Sequence, residues 1–335
     1  MGHRTHSSPR HGSMAYRPRA RKGSLIARTR TWPTINSKEP TLLGFMAFKA
    51  ASLHILSIDN QEKSPTFGQM VSNNSTVVSC APVIITGIRA YYNTIDGLKV
   101  FSEIYSEKLP KELSRKKELK CDFKTQLNKI ETNIDKIHKF TALICILPKK
   151  AGISQIKPYL IEIGVGGGDL ISQFEYLKNK LGVEISVHEI IKPGMSVDVA
   201  GITKGKGWQG PVKRFGIKKK QHKSRKTVRE VGTVGAWNPR NIMYTVPRAG
   251  QMGFHQRTEY NKQILLTGND QSQSVTPKGG FDHFGVIPGD YIILKGSLPG
   301  PSKRPLTIRY PVRPNGDKIK EPKIIHISTI EGEFS

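Results

Sequence analysis

Residues 1–38 and 204–229 hold twenty Lys and Arg side chains and no Asp or Glu, and this clustering limits what the chain can become. Like charges at such density oppose any compact state in water. The second tract, KGKGWQGPVKRFGIKKKQHKSRKTVR, has five apolar residues in 26 (Trp208, Val212, Phe215, Ile217 and Val228). That is too few to offset the entropy of ordering the tract by packing it on itself. The other 271 residues carry 33 basic and 26 acidic groups, an ordinary surface balance. A chain of 335 residues is long enough to bury a full core. Its apolar fraction of 36% lies below the usual ~45–50%, so part of it is expected to stay outside that core. The pattern is a near-neutral body bearing two cationic appendages.

A Lys-rich run by itself reads as a solvated tract. Three features favour a polyanion partner instead. Both segments are interspersed with Gly and Pro, which allow close, irregular backbone approach to a ligand. Both carry rings able to stack on bases or pack against sugars: Tyr16, Trp32, Trp208 and Phe215. Arg dominates the first, and Arg grips phosphate bidentately. Other classes find less support. No apolar run approaches the ~18 residues that span a bilayer, and the Arg-bearing N-terminus has no hydrophobic stretch of a secretory signal. Cys80, Cys121 and Cys145 are far apart and odd in number, which argues against a disulfide framework and fits a reducing compartment.

From Thr41 the text changes to short apolar stretches broken by turns. Residues 53–59, 76–80, 83–90, 98–105, 141–147, 159–163, 197–202, 291–294, 306–310 and 324–328 read as strands, and 183–187 alternates. Phe123, Leu127, Ile130, Ile134 and Ile137 recur at helical spacing. A second helix is expected after Asp169, placed as its N-cap. Many short strands with two helices imply a mainly β, α+β fold of barrel type. The expected division is a basic N-terminal extension over 1–40, a discontinuous body over 41–203 and 286–335 with a helical insert near 123–138, and a basic internal extension over 204–285.

Glu162-Ile-Gly-Val-Gly-Gly-Gly-Asp169 follows a strand and opens a helix, with Glu189 about 20 residues on. It resembles the first motif of S-adenosylmethionine-dependent methyltransferases, so an RNA methyltransferase is the alternative function. Against it, no run of βαβ units follows. His3, His6 and His11 lack the further ligand a metal site needs and suit phosphate or base contact better. Asp282-His283 comes with no nucleophile elbow. No enzyme, cofactor or metal site is expected. Trp237, between a Gly-rich approach and Asn238-Pro239, either closes a cluster with Met243 and Val246 or is presented for an RNA pocket. The surrounding charge favours presentation.

Six stretches together resemble the large-ribosomal-subunit protein three family, universal uL3, of archaeal/eukaryotic type: HSSPRHGSMAYRPRAR (6–21), GFMAFKA (44–50), ITKGKGWQGPVKRFGIKK (202–219), GAWNPRNIMYTVPRAGQMGFHQRTEYNKQI (235–264), TPKGGFDHFG (276–285) and LKGSLPGPSKR (294–304). The resemblance implies a translation-protein-type β-barrel and two extensions that enter large-subunit rRNA towards the peptidyl-transferase centre, with Trp237 at the tip of the longer one. It implies a structural part in early subunit assembly and a cytoplasmic place in the ribosome. It also implies proteins fourteen and twenty-four of the same subunit as neighbours, with neither membrane contact nor homo-oligomer. The residues expected on rRNA in the N-terminal segment are Arg4, His6, Arg10, His11, Arg17, Arg19, Arg21, Lys22, Arg28 and Arg30. In the basic tract they are Lys204, Lys206, Trp208, Lys213, Arg214, Lys218, Lys219, Lys220, Lys223, Arg225, Lys226 and Arg229. Beyond it they are Trp237, Arg240, Arg248, Gln251, His255, Arg257, Lys278, His283, Lys303 and Arg304.

Overall fold

A computed structural model describes residues 11–62, 64–116, 122–314 and 321–328. It is mainly β, with 38% strand and 13% helix. The chain divides into two compact units, one of residues 25–201 and 257–335, the other of residues 1–24 and 202–256.

The strands run β1 (Thr41–Leu42), β2 (Gly44–Ile58), β3 (Met70–Ser79), β4 (Val83–Thr94), β5 (Gly97–Tyr105), β6 (Lys139–Ile146), β7 (Tyr159–Gly166) and β8 (Glu184–Ile185). They continue as β9 (Ser196–Ile202), β10 (Gly205–Gln209), β11 (Gly250–Gly253), β12 (Gln256–Asn269), β13 (Asp290–Lys295), β14 (Pro305–Arg309) and β15 (Lys323–Ile327). The helices are α1 (Phe123–Glu131), α2 (Leu170–Asn179) and the short α3 (Pro211–Phe215).

The larger unit holds two sheets. In the first, the pairing order is β14-β9-β12-β13-β3-β2, and β2 pairs β14 again, so six strands close into a ring. The length of β2 makes this possible. Gly44–Phe48 pairs with β14, a register shift follows between Lys49 and Ala51, and Ile55–Ile58 then pairs with β15. Such a bulge bends a strand and raises its twist, which curls a sheet onto itself. The start of β2 is buried without interruption, while Leu53, Ile55 and Ser57 point inward and His54 outward, the period of two of a sheet with one wet face. The second sheet is antiparallel throughout, in the order β1-β7-β6-β4-β5 with β8 also on β4. α2 covers it, with the Phe140 and Phe174 rings 5.4 Å apart. Phe45, Phe48, Phe140 and Tyr291 are fully buried, each worth about 1.5–3 kcal/mol of transfer free energy.

A strap, residues 25–40, packs within this unit. Ala27 is buried and its carbonyl accepts from the Thr307 hydroxyl at 3.2 Å. Trp32 lies on two glycines: a Cβ at Gly44 or Gly164 would meet its ring at 2.9 and 2.7 Å. Arg309 donates to the Thr31 carbonyl at 2.6 Å and to the fully buried Asp198 carboxylate at 3.1 Å. Asp198 also accepts from the backbone N–H groups of Asn261 and Val312, so three donors satisfy its charge.

Several elements differ from the sequence reading. The first helix stops at Glu131, and Ile134–Lys136 is a separate 3-10 turn. Asp169 does occupy the N-cap of α2, yet its side chain makes no capping bond. Only Glu184–Ile185 of the alternating 183–187 pairs as strand, because Val187–Glu189 forms a 3-10 turn. β12 falls where the sequence predicts no strand: within QRTEYNKQILLTGN only Ile264, Leu265 and Leu266 are aliphatic, so the strand carries little apolar signal.

Candidate nucleic-acid interface

The smaller unit contains 19 Lys and Arg residues and a single acid, Glu230. Its backbone is organised by close approaches rather than by a core. β10 and β11 pair antiparallel with Trp208 opposite Gln251. Gly253 sits at φ +75°, and a Cβ there would meet the Lys204 carbonyl oxygen at 2.0 Å, so the left-handed turn and the contact both require glycine. α3 starts with Pro211 in its first turn and stops at Gly216 in the left-handed conformation, the usual punctuation of a helix. The N-terminal segment is sewn onto these elements. Lys22 N–H donates to the Phe254 carbonyl at 2.9 Å, and His255 Nδ1 lies 2.9 Å from the Ala20 carbonyl.

Among the described residues of this unit, Phe215 is the one large aromatic side chain that is buried, at 6% exposure. Three guanidinium groups surround it. Arg17, Arg19 and Arg214 place Cζ 5.3, 4.3 and 5.1 Å from the ring centroid, within cation–π range. Gly12 lets the chain pass beside the ring, since a Cβ there would fall 2.3 Å from Phe215 Cδ1. Arg214 donates to the carbonyls of Gln251 and Arg248, each at 3.0 Å. Burial, followed by the charges of Arg19 and Arg17, pushes the pKa of Arg214 down.

The remaining expected contacts lie in three situations. Lys204, Lys206, Lys213, Lys218, Lys219, Lys223, Arg225, Lys226, Arg229, Arg240 and Arg248 are exposed, as are His11 and Arg21, while Lys22 and Lys220 are half-buried. Residues 217–249 contain neither helix nor strand, so these charges stand on turns and open loop. Trp208 and Trp237 are 76% and 85% exposed, and Met243 is 54% exposed. Trp237 therefore closes no cluster with Met243 and is presented. His255 is buried and its ring holds the N-terminal segment, while Gln251 turns its amide to the Gly253 carbonyl at 3.0 Å. Arg28, Arg30, Arg257, Lys278, His283, Lys303 and Arg304 belong to the larger unit, where Arg257 and Arg304 are half-buried and the others exposed. Arg4, His6 and Arg10 lie outside the described residues, as does Cys121.

Two of the rings read as able to stack on bases make contacts within the protein. Trp32 packs on Gly44 and Gly164, and Phe215 is spent on arginines. The signal for Trp32 lay in the small residues that receive it, scattered far along the chain. Tyr244, flanking Arg17 with its ring centroid 5.9 Å from Cζ, escaped the sequence reading.

The glycine loop at 164–168 is a connection in an antiparallel sheet, because β7 pairs antiparallel with both β1 and β6. A dinucleotide-type loop needs a parallel strand at a point where strand order reverses. Its glycines face protein: a Cβ at Gly166 would meet Leu43 at 2.6 Å, and one at Gly167 would meet Ser37 Oγ at 2.1 Å. Glu189 pairs with Lys180 at 2.8 Å and faces no ribose site. The methyltransferase reading is thereby withdrawn. Among the described residues, no helix is long and apolar enough to cross a membrane.

Comparison with known proteins gives a consistent picture. The family profile described as Ribosomal protein L3 matches residues 1–331. The large ribosomal subunit protein uL3 of Pyrobaculum arsenaticum is 42% identical over 332 residues, covering 96% of this chain and 97% of that protein. Its counterpart in Methanococcus vannielii is 40% identical over 324 residues, covering 96% of both. That of Methanobrevibacter smithii is 40% identical over 329 residues, covering 97% of both.

Proposed function

Because the chain belongs to the ribosomal protein L3 family, whose members are structural proteins of the large ribosomal subunit and not enzymes, we propose that it binds large-subunit rRNA directly through residues 1–24 and 202–256. The observation that carries this reading is the charge of the smaller unit, nineteen cations against one acid, arranged on glycine-rich loops with two presented indoles. Such a unit reaches electroneutrality on a polyphosphate and on little else. A-form grooves hide base edges, so it reads shape, 2′-hydroxyls and unpaired bases. Trp208 and Trp237 supply stacking surfaces, each worth about 1–3 kcal/mol per base.

In this reading the six-stranded ring is a translation-type β-barrel that anchors the protein in the subunit. The cationic unit extends into the rRNA towards the peptidyl-transferase centre, and binding early in assembly organises the RNA around it. Proteins fourteen and twenty-four of the subunit are the proposed protein neighbours, and the ribosome in the cytoplasm is the place of action. The test is rRNA binding by the full chain as salt is varied. Neutralising about ten phosphates predicts a log–log slope of roughly −7 to −9. A slope near zero would remove the electrostatic basis of the proposal.

A further inference from the structure

We propose that Arg17, Arg19 and Arg214 form a preassembled clamp for a single RNA phosphodiester, built around the ring of Phe215. This deepens the rRNA-binding reading and rests on it. Guanidinium groups of like charge gather at one place only where something holds them, and here the hydrogen bonds that hold them go to neutral acceptors. Arg19 donates to the carbonyls of Ser13 and Arg214 at 3.2 and 3.1 Å. Arg214 donates to those of Gln251 and Arg248, and Arg17 to that of Tyr244. Four separate stretches of backbone thus fix three cations against one face-rich ring, and none of these bonds neutralises a charge.

Two atoms point to the missing counter-charge. Arg17 Nε and Nη2 are shielded from solvent and have no hydrogen-bond partner. Shielded, unpaired donors are uncommon in native proteins, and on a cation they are costly. The sole acid of the unit, Glu230, is exposed, so the unit has nothing of its own to spare for them. The ligand class follows from the chemistry. The cluster offers N–H donors in planar forks and presents no carboxylate or amide to read a base edge, which suits the paired oxygens of an oxyanion, and the rRNA reading makes that oxyanion a phosphate. The Tyr244 ring beside Arg17 is 69% exposed, and the proposal requires it to turn aside as the phosphate enters.

The experiment uses the full chain and a large-subunit rRNA fragment. Arg17→Gln keeps an N–H for the Tyr244 carbonyl and removes the charge. It is expected to weaken rRNA binding about tenfold and to make the log–log salt slope shallower by about 1. Protease cutting within 202–256 of the free chain should be unchanged or slower, because one repelling charge has gone. Arg17→Lys, which keeps the charge without the fork, should recover the slope but not the affinity. A polyglutamate peptide, matched in charge to the RNA, should fail to compete, whereas inorganic pyrophosphate should shift the Arg17 Nε–H resonance in a saturable manner. The clamp is overturned if Arg17→Gln leaves affinity and slope unchanged while the wild-type chain binds rRNA normally, or if it acts only by accelerating cutting of the free chain. Polyglutamate competing as well as RNA would likewise overturn the phosphate assignment. No rRNA binding by the wild-type chain would instead bring down the reading on which the clamp rests.

Discussion

The two units of this chain order themselves by opposite means. Residues 25–201 and 257–335 carry 34 basic and 25 acidic groups, and every residue of the main hydrophobic cluster comes from this unit. Its fully buried carboxylate, Asp198, is paired with the buried Arg309 and hydrogen-bonded. Among its described residues, the unit of 1–24 and 202–256 buries the Phe215 ring and surrounds it with three arginines. The first unit is stabilised by removing apolar surface from water, which needs no partner. The second is held by glycine-enabled backbone contacts and cation–π stacking against the mutual repulsion of its cations, and in the proposed reading its stability is tied to an external anion. The difference teaches that a cationic ribosomal segment can have a defined local design without having a core.

The contrast is broken most directly by deleting an equivalent ring on each side. Phe140→Ala should cost the chain about 3–5 kcal/mol in urea unfolding, because it opens a cavity against Phe174. Phe215→Ala should leave that transition in place and instead speed protease cutting within 202–256. Equal loss from both would mean that the units share one cooperative core. Asp198→Ala comes next, at about 3–5 kcal/mol, since Arg309 would stay buried without its counter-charge; the same urea titration reads it. Gly164→Ala should cost about 1–3 kcal/mol by pushing the Trp32 ring off β7, and the quenching of Trp32 fluorescence would change with it. At the small end, Trp237→Ala should alter stability by no more than about 0.5 kcal/mol while weakening rRNA binding. A cooperative loss of the body in that variant would contradict the presentation of Trp237.

Much of the larger unit is legible in the sequence because its strands carry their signal locally. The run at 83–90 and the alternation of Leu53, Ile55 and Ser57 report burial directly. β12 carries no such signal: Gln256–Gln263 is polar and charged, and it is a strand because the ring supplies partners on both sides. The strap at 25–40 reads as basic tail for a related reason. Trp32 finds its place against Gly44 and Gly164, and no pattern within the strap records those glycines. In the smaller unit the charge and the exposed indoles were legible, since both are local properties. The clustering of Arg17 and Arg19 with Arg214 and Phe215 was not, because it joins residues nearly 200 positions apart through backbone carbonyls that any sequence would offer.

Hydrogen exchange of the full chain, with and without large-subunit rRNA, tests the contrast most directly. Added RNA should raise amide protection across residues 11–24 and 202–256 and leave the strands of the ring and the second sheet unchanged. Equal protection of those segments in the free chain at low ionic strength, with no gain on RNA, would contradict an anion-dependent unit.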